Sequence, residues 1–493
     1  MGINQKNPLI PQSRQKTPRF GTPTERLQGV KQMHLAFLNP QGNFDPQDSY
    51  WTAHPDFGGQ LVYVKEVALA LGRLGHRVDI LTRRIIDPDW PGFEAALDAY
   101  PGEPDVRIVR LPCGGELFLP KEELWPHLEV EWVPNIVSFY AAEGCQPDAA
   151  AAHYGDGGLA AALWQDCGGP PFTFTAHSLG AQKQDRLLEK GHTLAELDAR
   201  YHFARRIAAE RAAMMRAARI ITSTRQERME QYGHPAYHGA VDPAADAKFA
   251  VVPPGVNLRI FDADLIGPAD ARIAAHIEQV LARDTASERR ALPAVLCSSR
   301  LDAKKNHAGL VRAFAQSADL QASANLLIVV RGAEDIHSRE GFGPAERAVL
   351  DEIVEICEAH NLWGKVCVFS LESQDELAAA YRHLSRRRSV FALTALYEPF
   401  GLAPLEAMAA GLPAAVTRNG GPSESLREGE QEFGVLVNPT DPGDIAAGLL
   451  RLVGPGKEWD YFHRAGRQRV LDRYTWERTA QGYLDVLAIV RPG

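Results

Sequence analysis

Ser389-Val-Phe-Ala-Leu393, the loop Thr394-Ala-Leu-Tyr-Glu-Pro-Phe-Gly401, the run Leu402-Ala-Pro-Leu-Glu-Ala-Met-Ala-Ala410 and then Gly411-Leu-Pro-Ala-Ala-Val-Thr417 form the stretch that decides the fold. Ser389–Leu393 and Pro413–Thr417 are short apolar runs, as strands buried on both faces of a parallel sheet are. The residues from about Ala403 to Ala410 read as a helix between them. Strand, helix and strand in this order make a crossover unit.

The alternation extends outward on the N-terminal side. Ala294–Ser298, Asn325–Arg331 and Lys365–Phe369 read as strands, and Asn306–Ala315, Ala345–His360 and Gln374–Leu384 as helices. An earlier series has strands His34–Asn39, Val78–Thr82, Val106–Leu111, Phe172–Thr175 and Arg219–Thr224. Leu61, Val64, Val67, Ala68, Leu71 and Leu74 recur at helical spacing, and Gly75 ends that helix. Asp198–Ala218, rich in Ala and Arg, also reads as helix. The second series begins near Phe249. Two series of roughly 200 residues predict two doubly wound α/β domains facing a cleft. They take residues 33–251 and 252–472, with the hinge near Val252–Val256. Residues 1–32 are expected to be a disordered tail: 1–31 holds six Lys or Arg against one acid, with Pro8, Pro11, Pro18 and Pro23.

The chain has 493 residues, 45% apolar and 23% charged, which excludes disorder, collagen and small disulfide scaffolds for its bulk. A net charge of −9 opposes non-specific nucleic-acid binding. Six cysteines without a CxxC pair are expected to be reduced and mostly buried thiols. No run approaches the ~18 apolar residues of a membrane span, and no signal-peptide core is visible, so a cytoplasmic location is expected.

Ligands of open parallel sheets sit beyond the carboxyl ends of the strands. Five segments lie there. His54-Pro-Asp-Phe-Gly-Gly-Gln60 precedes a helix, where free amides favour an anion; without GxGxxG it is no dinucleotide fingerprint. His153-Tyr-Gly-Asp-Gly-Gly158 is a second glycine-rich turn. Thr173–Lys183 brings His177, Ser178 and Lys183 to a strand end, with Ala176 where a hydrolase elbow would need glycine. Ser298–Asn306 places Arg300 and Lys305 where they could clamp a diphosphate. Last, Glu398 and Glu406 stand beside the free amides of Gly401 and Leu402. Amides suit phosphate and carboxylates accept from sugar hydroxyls, so this loop, with Asn419-Gly-Gly-Pro422, suits a nucleoside diphosphate sugar. Asp87-Pro-Asp89 and Phe261-Asp-Ala-Asp264 match DxD in solvated turns, HExxH is absent, and no metal site is expected. Arg386-Arg-Arg388 reads as a solvated helix end.

These motifs, with Asn39-Pro-Gln-Gly-Asn43 and Pro120-Lys-Glu-Glu-Leu-Trp125, carry a resemblance. The chain resembles the retaining nucleotide-sugar glycosyltransferases of the two-Rossmann-domain (GT-B) type, family 4, and within them the glucosyltransferase part of sucrose-phosphate synthases. The resemblance covers about residues 33–490. It implies a C-terminal helix, within 473–493, that crosses back to the first domain. It implies catalytic roles for His177, Arg300, Lys305 and Glu398, the histidine through its main chain. Gly59, Phe400, Gly401, Leu402 and Glu406 would hold the donor, Glu406 through the ribose. Gly58, Gln60, Lys121, Tyr154, Ser178, Lys183 and Arg206 would hold the acceptor, fructose 6-phosphate, with Lys121, Lys183 and Arg206 as a phosphate cradle. The expected reaction is glucosyl transfer from UDP-glucose or ADP-glucose, with no cofactor, the nucleotide sugar being a substrate. Many relatives carry a fused phosphatase, for which no room remains after residue 490, so a separate phosphatase protein is expected. Transfer to free fructose, as in sucrose synthases, and use of GDP-mannose, as in mannosylfructose-phosphate synthases, stay open. A sugar-binding protein that kept the fold without turnover is the alternative from another class.

Overall fold

The computed structural model describes residues 32–50, 59–453, 456 and 458–490. Of the tail expected at 1–32, residues 1–31 lie outside the described residues, as do the motif residues His54–Phe57 and Gly58. In the first sheet, strands His34–Leu38 (β1), Arg77–Arg83 (β2), Val106–Leu111 (β4), Ala149–His153 (β5), Phe172–Thr175 (β6), Arg219–Thr222 (β7) and Phe249–Val251 (β8) are parallel, with Leu97–Ala99 (β3) antiparallel at one edge. Their order is β3-β4-β2-β1-β5-β6-β7-β8. The second sheet takes Ala294–Ser298 (β9), Asn325–Val329 (β10), Val366–Phe369 (β11), Val390–Leu393 (β12) and Ala414–Thr417 (β13). After a hairpin of Arg427–Glu428 (β14) and Gln431–Glu432 (β15), Val435–Val437 (β16) completes it. Its order is β11-β10-β9-β12-β13-β16.

In both sheets the chain starts in the middle, winds to one edge, and returns to build the other side. The reversal falls between β1 and β5 and between β9 and β12. Connections leaving neighbouring strands part to opposite faces there, which opens a crevice at the carboxyl ends. The described chain is thus the two-Rossmann-domain α/β fold.

Three local expectations change. His153–Gly158 is no turn: β5 ends at His153 and a helix, Tyr154–Asp166, starts at the next residue. Its glycines serve packing. A Cβ on Gly157 would collide with the carbonyl oxygen of Leu38, and one on Gly158 would lie 2.6 Å from Ala213 Cβ. Phe249 does not open the second series: β8 pairs with β7 and closes the first sheet, Phe249 packing edge-on against Tyr232 at 5.3 Å. The helix expected over Asp198–Ala218 is two helices, Leu194–Tyr201 and Phe203–Arg216. His202, at φ 48°, separates them, and Asp198 Oδ1 accepts from the Ala204 amide at 2.7 Å, drawing off the bond that would continue the first helix.

The chain passes between the domains twice, side by side. The Val256 amide donates to Tyr474 O at 2.8 Å, Thr479 Oγ1 donates to Pro253 O at 2.8 Å, and Gly255 has no room for a Cβ against the backbone of Thr475 and Trp476. The last helix, Trp476–Val490, then lies on the helix Gly59–Arg73 of the first domain, burying Trp476, Tyr483 and Leu487 with Leu61, Val64 and Phe37. That is the crossing-back the resemblance implied. Cys113, Cys297, Cys357 and Cys367 are buried free thiols, Cys145 is half-buried and Cys167 exposed. Among the described residues no helix is long and apolar enough to cross a membrane. Both DxD pairs stand in turns, Asp262 and Asp264 holding Arg467 at 2.8 and 2.6 Å. Arg387 and Arg388, at the helix end, pair with Glu278 and Asp460.

Candidate active site

One wall forms at the switch point of the second sheet. After β9, Asp302 accepts from the Lys304 amide and turns the chain into a short 3-10 segment, Ala303–Lys305. Asn306, at φ 56°, then donates through Nδ2 to Thr394 O at 3.0 Å and Pro439 O at 2.8 Å. This ties the β9 loop to the β12 loop. In consequence Lys305 Nζ donates to Glu398 Oε2 at 2.7 Å, a pair only partly shielded from solvent. Arg300 is exposed and has no side-chain partner among the described residues.

Glu398 is held by its backbone. Its amide donates to Asn419 O at 3.0 Å, and its carbonyl accepts from the Gly421 amide at 3.0 Å. Gly420 makes this possible: it sits at φ 103°, and a Cβ there would strike the Glu398 carbonyl oxygen. Gly401, at φ 92°, caps the helix Leu402–Ala409, whose first-turn amides have no intrahelical acceptor. Phe400 packs against Tyr474 with ring centres 6.2 Å apart. One turn on, Glu406 is half-buried, with no cation or hydrogen-bond partner among the described residues. Burial pushes its carboxyl up to about 7.

The other wall forms at the carboxyl ends of β5 and β6. His177 is left-handed at φ 57°, a conformation costly for a non-glycine residue and typical of functional sites. Its Nε2 lies 3.0 Å from His153 Nδ1, and the Tyr63 ring meets it edge-on at 4.9 Å. Burial holds His177 at about 3 and His153 well below the ordinary range, so both rings are neutral near pH 7. Next to it Ser178 is exposed, and its Oγ and carbonyl accept from Arg206 Nη2 at 3.1 and 2.8 Å. Arg206 also stacks on Tyr154 at 4.5 Å, and Tyr154 is itself left-handed at φ 67°. Lys121 acts electrostatically on the same Tyr154 phenol. Gln60 follows Gly59 in the first turn of its helix, and no atom of the described residues occupies the space where Gly59 lacks a side chain.

The expected three-cation cradle is altered. Arg206 Nε donates to the buried Glu210 Oε1 at 2.8 Å, so this guanidinium is already neutralised. Glu210 is in turn satisfied by the Gly180 amide at 3.0 Å and by the Tyr237 hydroxyl. Lys183 is exposed on the helix Gly180–Leu188, its ammonium 4.8 Å over the Tyr201 ring. The wall thus carries Lys121, which pairs with Glu122 at 3.8 Å, and Lys183, with Arg206 as an oriented donor. The Arg206–Glu210 spacing of i and i+4 on one helix could have shown the pairing in sequence.

The two walls meet. Glu424, after β13, accepts from the amides of Arg225 and Gln226 at 2.9 and 2.7 Å, and so caps the short helix Arg225–Gln231 that follows β7. Tyr397 donates to Glu230 at 3.3 Å beside it. A cavity of about 740 Å³ opens here, with Arg225 and Gln226 on one side and Tyr397, Arg418 and Asn419 on the other. No sequence signal pointed to Glu424. Glu424→Ala is expected to weaken this clasp by about 0.5–2 kcal/mol. Hydrogen exchange of the 225–231 amides should then lose roughly 2- to 30-fold protection. Among the described residues no three His, Cys, Asp or Glu side chains cluster as a metal site would need.

Two family models match this chain: Glycosyl transferase 4-like domain over residues 58–243 and Glycosyl transferases group 1 over residues 282–469. A probable sucrose-phosphate synthase of Thermosipho melanesiensis is 42% identical over 92% of this chain and 96% of its own length. The chain belongs to the sucrose-phosphate synthase family. It is a hexosyltransferase. Against a probable sucrose-phosphate synthase of rice it is 32% identical over 94% of its length but spans only 52% of that protein. It spans about half of the other plant members it matches as well, such as the maize enzyme. Among solved structures, a sucrose-phosphate synthase from Thermosynechococcus elongatus superposes with a TM-score of 0.63 at 24% identity, over 93% of this chain and 100% of that one. The catalytic domain of Arabidopsis starch synthase IV, bound to ADP and acarbose, gives 0.61 at 13% identity over 93% and 99%. At these identities the likeness shows the fold alone.

Proposed function

We propose that this member of the sucrose-phosphate synthase family transfers a glucosyl unit from UDP-glucose or ADP-glucose to fructose 6-phosphate, forming sucrose 6-phosphate with retention at the donor carbon. The observation that carries this reading is the Lys305–Glu398 pair at the second switch point, between the exposed Arg300 and the capped amides of Leu402–Ala409. Arg300 and Lys305 hold the diphosphate and stabilise charge as it leaves. Glu398 accepts from the hexose hydroxyls and Glu406 from the ribose. Across the cleft, the backbone at His177 lies against the reacting carbon, and Lys121, Tyr154, Ser178, Lys183 and Arg206 with Gln60 hold the acceptor. The protein acts by positioning and electrostatics, without a nucleophile of its own and without a cofactor. A separate phosphatase removes the product's phosphate.

One observation favours a second reading, transfer to free fructose: Glu210 already neutralises Arg206. Crossing UDP-, ADP- and GDP-sugars with fructose and fructose 6-phosphate separates the two. Lys183→Ala is expected to raise KM for fructose 6-phosphate about 10- to 100-fold while leaving KM for fructose unmoved. Equal KM values for both acceptors in the unaltered enzyme would refute the phosphate-binding wall.

A further inference from the structure

Asp156 is a buried acid that the proposed reaction does not use. It is 1% exposed and stands third in the helix Tyr154–Asp166, directly behind the acceptor wall. Its Oδ1 accepts from the Gly157 amide at 2.7 Å and from Gln41 Nε2 at 3.5 Å. Its Oδ2 has no hydrogen-bond partner among the described residues, nor has either amide atom of the neighbouring Asn39. A buried carboxyl oxygen left without a partner is expensive, and packing gives no reason for an acid here. Asparagine would match its size and keep the Gly157 bond.

We propose that Asp156 is a positioning and specificity-determining residue, holding the Gly157 amide and Gln41 at the start of this helix and setting how strongly the Lys121–Arg206 wall attracts the phosphate of an acceptor. The inference rests on the reading that this wall binds a sugar phosphate. Every element packed around Asp156 contributes: Lys121 from the helix Lys121–His127, Arg206 and Glu210 from Phe203–Arg216, Tyr154 from its own helix, Gln41 from the loop after β1 and the Cys113 thiol after β4. Burial pushes the Asp156 carboxyl up to about 7, against the opposing pull of the Gly157 amide, Lys121 and Arg206. Below that pH it is neutral, and the charges of Lys121 and Arg206 are balanced by Glu122, 3.8 Å from Lys121, and by Glu210. Above it the ionised carboxylate leaves this set with one net negative charge, which opposes an anionic ligand. A phosphate monoester, with its second pKa near 6, is already a dianion there. Its affinity therefore falls as pH rises through 7, and its binding pulls a proton onto Asp156.

The test uses the whole protein with UDP-glucose and either fructose 6-phosphate or fructose, from pH 6.5 to 8.5. KM for fructose 6-phosphate, counted as the dianion, is expected to rise about tenfold over this range, while KM for fructose stays level. Asp156→Asn should flatten the first profile, with the change in KM and not in kcat. Calorimetry of fructose 6-phosphate binding to the unaltered protein at pH 7.5, in two buffers of different ionisation enthalpy, should show uptake of about half a proton; this holds the test even if the variant does not fold. A level KM with no proton uptake, in an enzyme that does use fructose 6-phosphate, overturns the role of Asp156. Failure of fructose 6-phosphate to bind or react overturns the underlying functional reading instead.

Discussion

Replacing Lys305 with alanine will lower kcat about 100- to 1000-fold, with a smaller change in KM for the donor. The reasoning starts from the loop. Asn306, bonded to the β12 and β16 loops, leaves Lys305 little freedom, so its ammonium is already at Glu398 before any substrate binds. A cation fixed in advance at the site of a departing diphosphate stabilises charge without reorganisation, and charge is larger in the transition state than in the ground state. Glu398→Gln should also be severe, because it removes the partner that orients Lys305 and weakens the contacts proposed to the hexose. The two residues share one bond of 2.7 Å, so their effects will not add. The double variant should be no more than about tenfold worse than the worse single one. Steady-state kinetics of the three variants checks this; fully multiplicative losses would show that the pair does not work as a unit.

Gly420→Ala will be the most damaging single methyl group near the site. Glycine alone enters φ 103° freely, and here the missing Cβ faces the carbonyl oxygen of Glu398. The strained conformation and the overlap together cost about 2–5 kcal/mol. The chain can only relieve this by moving the Glu398 backbone, which disrupts its bonds to Asn419 and Gly421. Activity is therefore expected to fall at least tenfold beyond what the lost stability explains at 25 °C. Gly59→Ala is the contrast. Its added Cβ meets no atom of the described residues, so thermal stability should hold while donor KM rises. Thermal denaturation and kinetics of the two variants give the comparison.

Long apolar runs and repeated helical spacing made the strands and most crossover helices legible, because a buried parallel strand needs such a run wherever it lies. The loops that carry Arg300, Glu398 and His177 were legible for the same reason: they follow strands. Pairings across the chain were not. Lys305 and Glu398 are 93 residues apart, and nothing local to either names the other. β5 escaped notice because Ala149–Ala152 has weak strand propensity and Gly155, Gly157 and Gly158 look like a turn. Only the closeness of Leu38 and Ala213 explains those glycines. Glu424 caps a helix of the other domain, which no local pattern encodes. Burial was equally hidden: no pattern distinguishes the exposed Asp89 from Asp156, which is 1% exposed.

The most direct measurement is a crystal structure of the protein with UDP and fructose 6-phosphate bound together. The diphosphate should lie within hydrogen-bond distance of Arg300 and Lys305, with the ribose at Glu406. The ketose phosphate should lie against Lys121, Lys183 and Arg206, its anomeric hydroxyl toward the His177 backbone. A diphosphate seated away from Lys305, or a ketose ester held elsewhere than on that wall, would contradict the account.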